Sequence, residues 1–251
     1  MNGCKEEEDD HHAVSSPSQA SSSRPAKRSR RVAFQKPTKK DQLWIEKYVP
    51  IASKDLVVAP KKVKEVASWL RNPSKLLVLV GSPGIGKSAM IYCLTNELST
   101  RVIEWTESFS NGYGDSPIES FQHFLEESGG GLTLLQGTAQ TSIILIDELP
   151  NLHGPEAEAR FRDMFTRHIQ ESNIPTVLIY SDTVEGKTRP DALERLIEKR
   201  VLYSNVCQIL QIHPPTKARF GKVVQQIASA EGGRVGDVEE LYTRCHGDIR
   251  F

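Results

Sequence analysis

The sequence predicts an α/β fold in which a parallel sheet is covered by helices on both faces. Three observations predict it: short apolar runs alternate with stretches of helical period, a glycine-rich pattern stands at one strand-to-helix junction, and a second apolar run ends in paired carboxylates.

Lys61 to Arg71 comes first, with Val63, Val66, Ala67 and Leu70 on one helical face. Leu76-Leu-Val-Leu-Val80 is an unbroken apolar run of strand length, and a helical pattern follows from Lys87 to Leu98. Arg101-Val-Ile-Glu-Trp105 reads as a strand, and Ile118, Phe121, Phe124 and Leu125 share the apolar stripe of another helix. Gly129-Gly-Gly131 is expected to be a flexible break before the strand Ser142-Ile-Ile-Leu-Ile146. A helix over Glu156 to Ile169 carries Phe161, Met164, Phe165, His168 and Ile169 on one stripe, which makes His168 a core-edge histidine and not a ligand. Thr176-Val-Leu-Ile-Tyr180 is the next strand, Asp191 to Lys199 is helical, and Gln208 to Ile212 is a short strand. From Thr216 only helices are expected, and Pro214-Pro215 marks the change to a second, small helical domain.

The junction after the first strand carries the chemistry. Gly81-Ser82-Pro83-Gly84-Ile85-Gly86-Lys87-Ser88 fills every fixed position of G-x-x-x-x-G-K-[ST], the Walker A pattern of P-loop NTPases. Its glycines let the backbone curl so that successive N–H groups face phosphate oxygens, and the following helix adds its positive end. Lys87 is placed to reach the β- and γ-phosphates of a nucleoside triphosphate, and Ser88 to ligate Mg²⁺. Asp147-Glu148, directly after the strand Ser142 to Ile146, reads as Walker B. Asp147 is expected to hold the metal from its outer shell, and Glu148 to act as general base on the attacking water.

Composition narrows the class. The 251 residues allow one large or two modest domains with a real core, and no apolar run nears the ~18 residues of a membrane helix. No apolar signal core opens the chain, so a nuclear or cytosolic place is expected. Cys4, Cys93, Cys207 and Cys245 lack zinc spacing and read as reduced structural thiols; His11 and His12 read as part of a solvated tail. The formal net charge is zero, yet residues 1–40 hold nine Lys/Arg against five Asp/Glu, leaving 23 basic and 27 acidic residues elsewhere. The remainder is therefore no blanket nucleic-acid binder. The tail, rich in Ser, Pro and charge, is expected to be disordered. Its Arg24, Lys27, Arg28, Arg30, Arg31, Lys36, Lys39 and Lys40 suit nuclear import, a phosphate-neutralising arm or plain solubility, and Ser18-Gln19 is a weak match to a damage-kinase site.

Beyond the Walker motifs, Leu43-Trp44-Ile-Glu46-Lys47-Tyr48-Val-Pro50 resembles the W-x-x-K-Y-x-P segment that opens the ATPase domain of replication factor C and its relatives. Within that clan the sequence is most similar to the large subunit of the DNA-damage checkpoint clamp loader. The likeness runs from Leu43 onward and is carried by Asp55 to Leu70, by Leu149-Pro150-Asn151, by Tyr180-Ser181-Asp182 and by Gly247-Asp248-Ile249-Arg250. The resemblance implies an AAA+ three-layer α/β/α domain over residues 41–214 and the start of a helical lid over 215–251, with ATP and Mg²⁺ between them. It implies that Tyr48 and Pro50 lie near adenine, that Arg250 is the lid's sensor arginine, and that Ser181 or Asp182, where the family usually has Asn, stands at the sensor-1 strand end. Ser204-Asn-Val-Cys207 replaces the Ser-Arg-Cys of small clamp-loader subunits, leaving Arg200 as the nearby finger candidate.

The implied function is an ATP-dependent subunit that joins the replication factor C small subunits and loads a heterotrimeric checkpoint sliding clamp onto damaged or primer-junction DNA in the nucleus, with no membrane partner. Since the sequence stops at Phe251 where the likeness would continue through lid and collar, a truncated form is expected. Alternatives are a shortened, non-catalytic interaction form, or another AAA+ replication loader or initiator subunit. The ATPase, if active, is expected to be slow in isolation.

Overall fold

The computed structural model describes residues 43–106, 116–130, 141–181 and 190–250. The basic tail, His11, His12, Cys4, Ser18-Gln19, Asp182 and Phe251 lie outside these residues.

The strand runs form one parallel sheet. They are β1 (Leu76–Gly81), β2 (Arg101–Glu104), β3 (Ser142–Ile146), β4 (Thr176–Ser181) and β5 (Cys207–Gln211), in the order β2-β3-β4-β1-β5. Each described pair is parallel, so every connection must cross a face, and the crossovers are helices. Alternate side chains of one strand enter opposite layers, as the period of two requires. Leu76, Val78, Val80, Ile144, Ile146 and Leu178 pack into one core with the helices α4 (Pro117–Gly130), α5 (Gly154–Glu171), α6 (Pro190–Leu196) and α7 (Lys199–Leu202). Leu77, Leu79, Ile143, Leu145, Val177 and Ile179 pack into the other with α2 (Pro60–Arg71) and α3 (Lys87–Glu97). This is the parallel sheet covered on both faces that the alternating runs predict, with the glycine-rich pattern of P-loop NTPases at the β1–α3 junction.

Two boundaries differ from the sequence reading. Gly129 and Gly130 belong to α4 instead of breaking the chain, because Gly129 packs toward α5, where an added Cβ would lie 3.8 Å from the His168 ring. The helix expected over Asp191 to Lys199 is two helices. Ile197, directly after α6, is fully buried, and Glu198 turns extended so that Val201 and Leu202 of α7 reach the same core. The sequence reading also omitted α1 (Trp44–Lys47) and a single 3-10 turn at Ser53–Asp55.

Aromatic rings join α4 to α5. Trp105 meets Phe121 edge-on at 4.9 Å, and Phe121, Phe161 and Phe165 stack in succession at 5.4 and 5.5 Å. Next to them His168 is buried with its Nε2 3.1 Å from Thr176 Oγ1, and burial, aided by the charge of Lys75, pushes its pKa down to about 4. The unfolded chain binds this proton more readily than the fold does. Stability from this group is therefore complete above pH 6.5 and falls as pH drops toward 4, by about 2 kcal/mol at pH 5. Urea unfolding of the parent and of His168→Gln at pH 7.5 and pH 5 checks it; equal losses in the two proteins would refute the assignment.

The C-terminal part is helical. In α8 (Lys217–Ala230) and α9 (Val238–Cys245), Phe220 and Tyr242 meet edge-on at 5.4 Å, and a Cβ on Gly221 would lie 2.8 Å from Val238. Asp237 caps α9 by accepting from the N–H groups of Glu239 and Glu240. No described helix is long and apolar enough to cross a membrane.

Candidate nucleotide site

The site is assembled at the C-terminal ends of β1, β3 and β4. β1 delivers Gly81, where an added Cβ would fall 2.3 Å from the Ile212 carbonyl oxygen; only a bare Cα allows β1 and the chain after β5 to approach so closely. The loop then turns through Gly84 (φ 69°) and Gly86 (φ 95°), both in the left-handed region. Ile85, inserted in the core between them, anchors the loop. Gly86 is the N-cap of α3 and has no side chain to satisfy the first-turn N–H groups, which leaves them for an anion.

Lys87 sits inside this curl. Only 4% exposed, it donates to the carbonyls of Gly81 at 2.9 Å and Ser82 at 2.7 Å. Burial pushes its pKa down to about 8, against the pull of Asp147; Arg250 lowers it further and Asp248 raises it. A desolvated cation at an uncapped helix start fits the polyphosphate of a nucleotide. Ser88 is half-buried in the first turn of α3, and Pro83 is exposed at the loop tip.

β4 separates β1 from β3 and aligns their ends. Gly81 is level with Ser181, and Ile146, just before Asp147, is level with Leu178. Asp147 and exposed Glu148 thus emerge on the same edge as the loop, and both stabilise the charge on Arg250. The oxygens of Ser88 and Asp147 are the hard donors a divalent cation takes.

The C-terminal residues close over the loop. His246 and Gly247, at φ 51° and 81°, reverse the chain after α9, and the Ile249 N–H donates to the Gly84 carbonyl at 3.0 Å. Asp248 lies so near Gly84 that an added Cβ would fall 1.8 Å from its Oδ1. Its carboxylate receives the Arg250 N–H at 2.8 Å and the guanidinium at 3.3 and 3.1 Å. Arg250 therefore stands near the loop, with Asp248 as its partner. The Gly247-Asp248-Ile249-Arg250 motif carries no local signal of these contacts of Asp248 and Ile249.

Tyr48 and Pro50 belong to a strap, residues 47–58, between α3 and α8. On the α3 side the Cys93 thiol donates to the Pro50 carbonyl at 3.1 Å, and the Ser53 N–H donates to Glu97 at 2.7 Å. Val58 lies beside the loop, 3.4 Å from where a Cβ on Gly86 would stand, with Ile249 at 3.8 Å. On the α8 side Lys47 and Tyr48 both donate to Glu231 Oε1 at 2.5 Å, and Arg219 donates to the Val58 carbonyl at 2.9 Å. Those two donors hold the Glu231 carboxyl below the usual range, Lys47 most. Glu231, Arg219 and Val58 were missed: the first pairs across 183 positions, a distance no local pattern spans. Arg200, the finger candidate, is paired with Glu198.

A family model described as the Rad17 P-loop domain matches residues 37–193. The chain is 27% identical over 249 residues to the cell cycle checkpoint protein RAD17 of Mus musculus, covering 82% of this chain and 36% of that protein. It is 28% identical over 240 residues to replication factor C subunit 1 of Oryza sativa subsp. japonica, covering 83% and 22%. It is 29% identical over 218 residues to the replication factor C large subunit of Methanoregula boonei, covering 81% and 42%. The chain thus spans well under half the length of each of these relatives.

Proposed function

Because this chain belongs to the Rad17 P-loop domain family, we propose that it is the ATP-binding subunit of a checkpoint clamp loader, one that joins replication factor C small subunits to load a heterotrimeric sliding clamp onto damaged or primer-junction DNA. The observation that carries the reading is the closure of Asp248-Ile249-Arg250 over the phosphate loop, which couples the helical C-terminal part to whatever the loop holds.

In this reading Gly81 to Ser88 cradle the phosphates of ATP, and Lys87 leaves its loop carbonyls to neutralise them. Ser88 and Asp147 hold Mg²⁺, Glu148 takes a proton from water, Ser181 stands between the two Walker strands, and Tyr48 and Pro50 border the base. ATP, when bound, would supply the phosphoryl group that passes to the water deprotonated at Glu148, and that transfer would reset the closed state. The strap and the Gly84–Ile249 contact are the two places where closure is felt by α8 and α9. The chain works in the nucleus, carried there by Lys27, Arg28, Arg30 and Arg31. The test is one experiment: the tagged chain, expressed in cells, fractionates with nuclei and brings down the replication factor C small subunits. Recovery without them, from either compartment, would overturn the clamp-loader assignment and leave a nucleotide-binding interaction protein.

A further inference from the structure

The strap is tied to α8 at both of that helix's ends. Arg219, in the first turn, holds the Val58 carbonyl, and Glu231, the C-cap, holds Lys47 and Tyr48. These anchor points are twelve residues apart, about 18 Å along the helix axis. Strap and helix therefore run side by side in opposite directions. A carboxylate at a helix C-terminus opposes the macrodipole, so Glu231 costs α8 some stability where it stands. What offsets that cost is the pair of donors it receives from the strap. A local rule broken in favour of a long-range contact marks a position shaped by function.

The strap's other side defines what this contact controls. The phosphate loop takes only the phosphates, and the apolar side chains beside Gly86 are Val58 from the strap and Ile249 from the Gly247–Arg250 segment. In the nucleotide reading a flat, largely apolar base leaving the loop lies against the strap, whose Val58, only 2% exposed, is packed behind Gly86 and fixes where the strap stands. Resting on the nucleotide reading above, we infer that Glu231 is a specificity-determining positioning residue: through Lys47 and Tyr48 it ties the start of the strap to α8, and so sets the affinity for the base end of the nucleotide without touching the phosphates. Arg219 performs the same task on the Val58 end.

The consequence is a split between ligands. Without Glu231 the Lys47–Tyr48 end of the strap is released from α8 while Pro50, Ser53 and Val58 stay tied, and if that end is seated a tenth of the time the Kd for a ligand that needs it rises about tenfold. A ligand held by the loop alone is unaffected. The experiment measures binding of Mg·ATP and of Mg·tripolyphosphate, which lacks base and sugar, to the full chain by calorimetry. The parent is compared with Glu231→Ala, Glu231→Gln and Lys87→Ala. Glu231→Ala is expected to weaken ATP about tenfold while changing tripolyphosphate less than about twofold. Glu231→Gln, which keeps an acceptor for the Tyr48 hydroxyl, recovers part of the loss. Equal weakening of both ligands, or of neither, overturns the role of Glu231 while leaving the nucleotide site intact. Loss of neither ligand in Lys87→Ala overturns the nucleotide reading itself, and the inference with it.

Discussion

Replacing Lys87 with alanine is expected to weaken Mg·ATP binding by at least about 100-fold while leaving the thermal midpoint within a few degrees of the parent. The affinity loss follows from the geometry of the loop. Lys87 is the buried cation at the start of α3, and two charge-assisted hydrogen bonds to phosphate at about 1.5–3 kcal/mol each correspond to a factor of 10² or more. The fold survives because Lys87 donates only to carbonyls of its own loop and burying its charge is a cost, not a gain. The same burial gives binding a pH dependence of defined sign. With a pKa near 8 in the free protein, Lys87 is charged at pH 7 and mostly neutral at pH 9, so ATP is expected to bind about tenfold more weakly at pH 9 and to take up a proton there. The fold, in contrast, gains stability from this group as pH rises from 8 toward 10.5, since the unfolded lysine keeps its proton longer. Calorimetry at pH 7.5 and 9 on both proteins settles it; equal affinities for parent and variant at pH 7.5 would remove Lys87 from the site.

Most of the sheet and the phosphate loop were legible because their signals are local. β1 is an unbroken apolar run because both of its faces are buried, and a run of that kind announces itself without any knowledge of its neighbours. The Walker A pattern is contiguous for a similar reason: one turn of backbone must curl around one group of phosphates. Residues that complete the site from a distance left weaker traces. Asp248 and Ile249 were visible only as part of a short motif, since what matters about them is their contact with Gly84, some 160 residues earlier in the chain. Glu231 gave no signal at all, because a glutamate at the end of an amphipathic helix looks like any solvated charge until Lys47 and Tyr48 are seen on it. The glycines at the end of α4 misled for the opposite reason. Glycine lowers helix propensity by only about 1 kcal/mol, and packing of α4 on α5 overrides that.

The purified chain alone is expected to bind ATP and to hydrolyse it far more slowly than about one turnover per second. In the proposed reading Asp147 and Glu148, at the end of β3, supply a metal ligand and a base. Charge building on the transferred phosphoryl group also needs a free cation, worth roughly 10³ to 10⁵ in rate. The two arginines that sequence and fold nominate are both engaged. Arg250 spends its guanidinium on both oxygens of Asp248, and Arg200 is paired with Glu198. An Arg250 that turned toward phosphates would have to leave a carboxylate bound through two nitrogens, so its transition-state contribution is reduced by the cost of that exchange. Glu148→Gln should leave ATP affinity within about twofold and reduce the already slow rate by a further factor of roughly 10² or more, as loss of a general base does. Single-turnover hydrolysis with Mg²⁺ in parent and Glu148→Gln provides the measurement. A parent rate near one per second or faster that collapses in the variant would refute the claim, because it would mean that this chain completes its own active site and that the Asp248–Arg250 pair opens readily when the loop is filled.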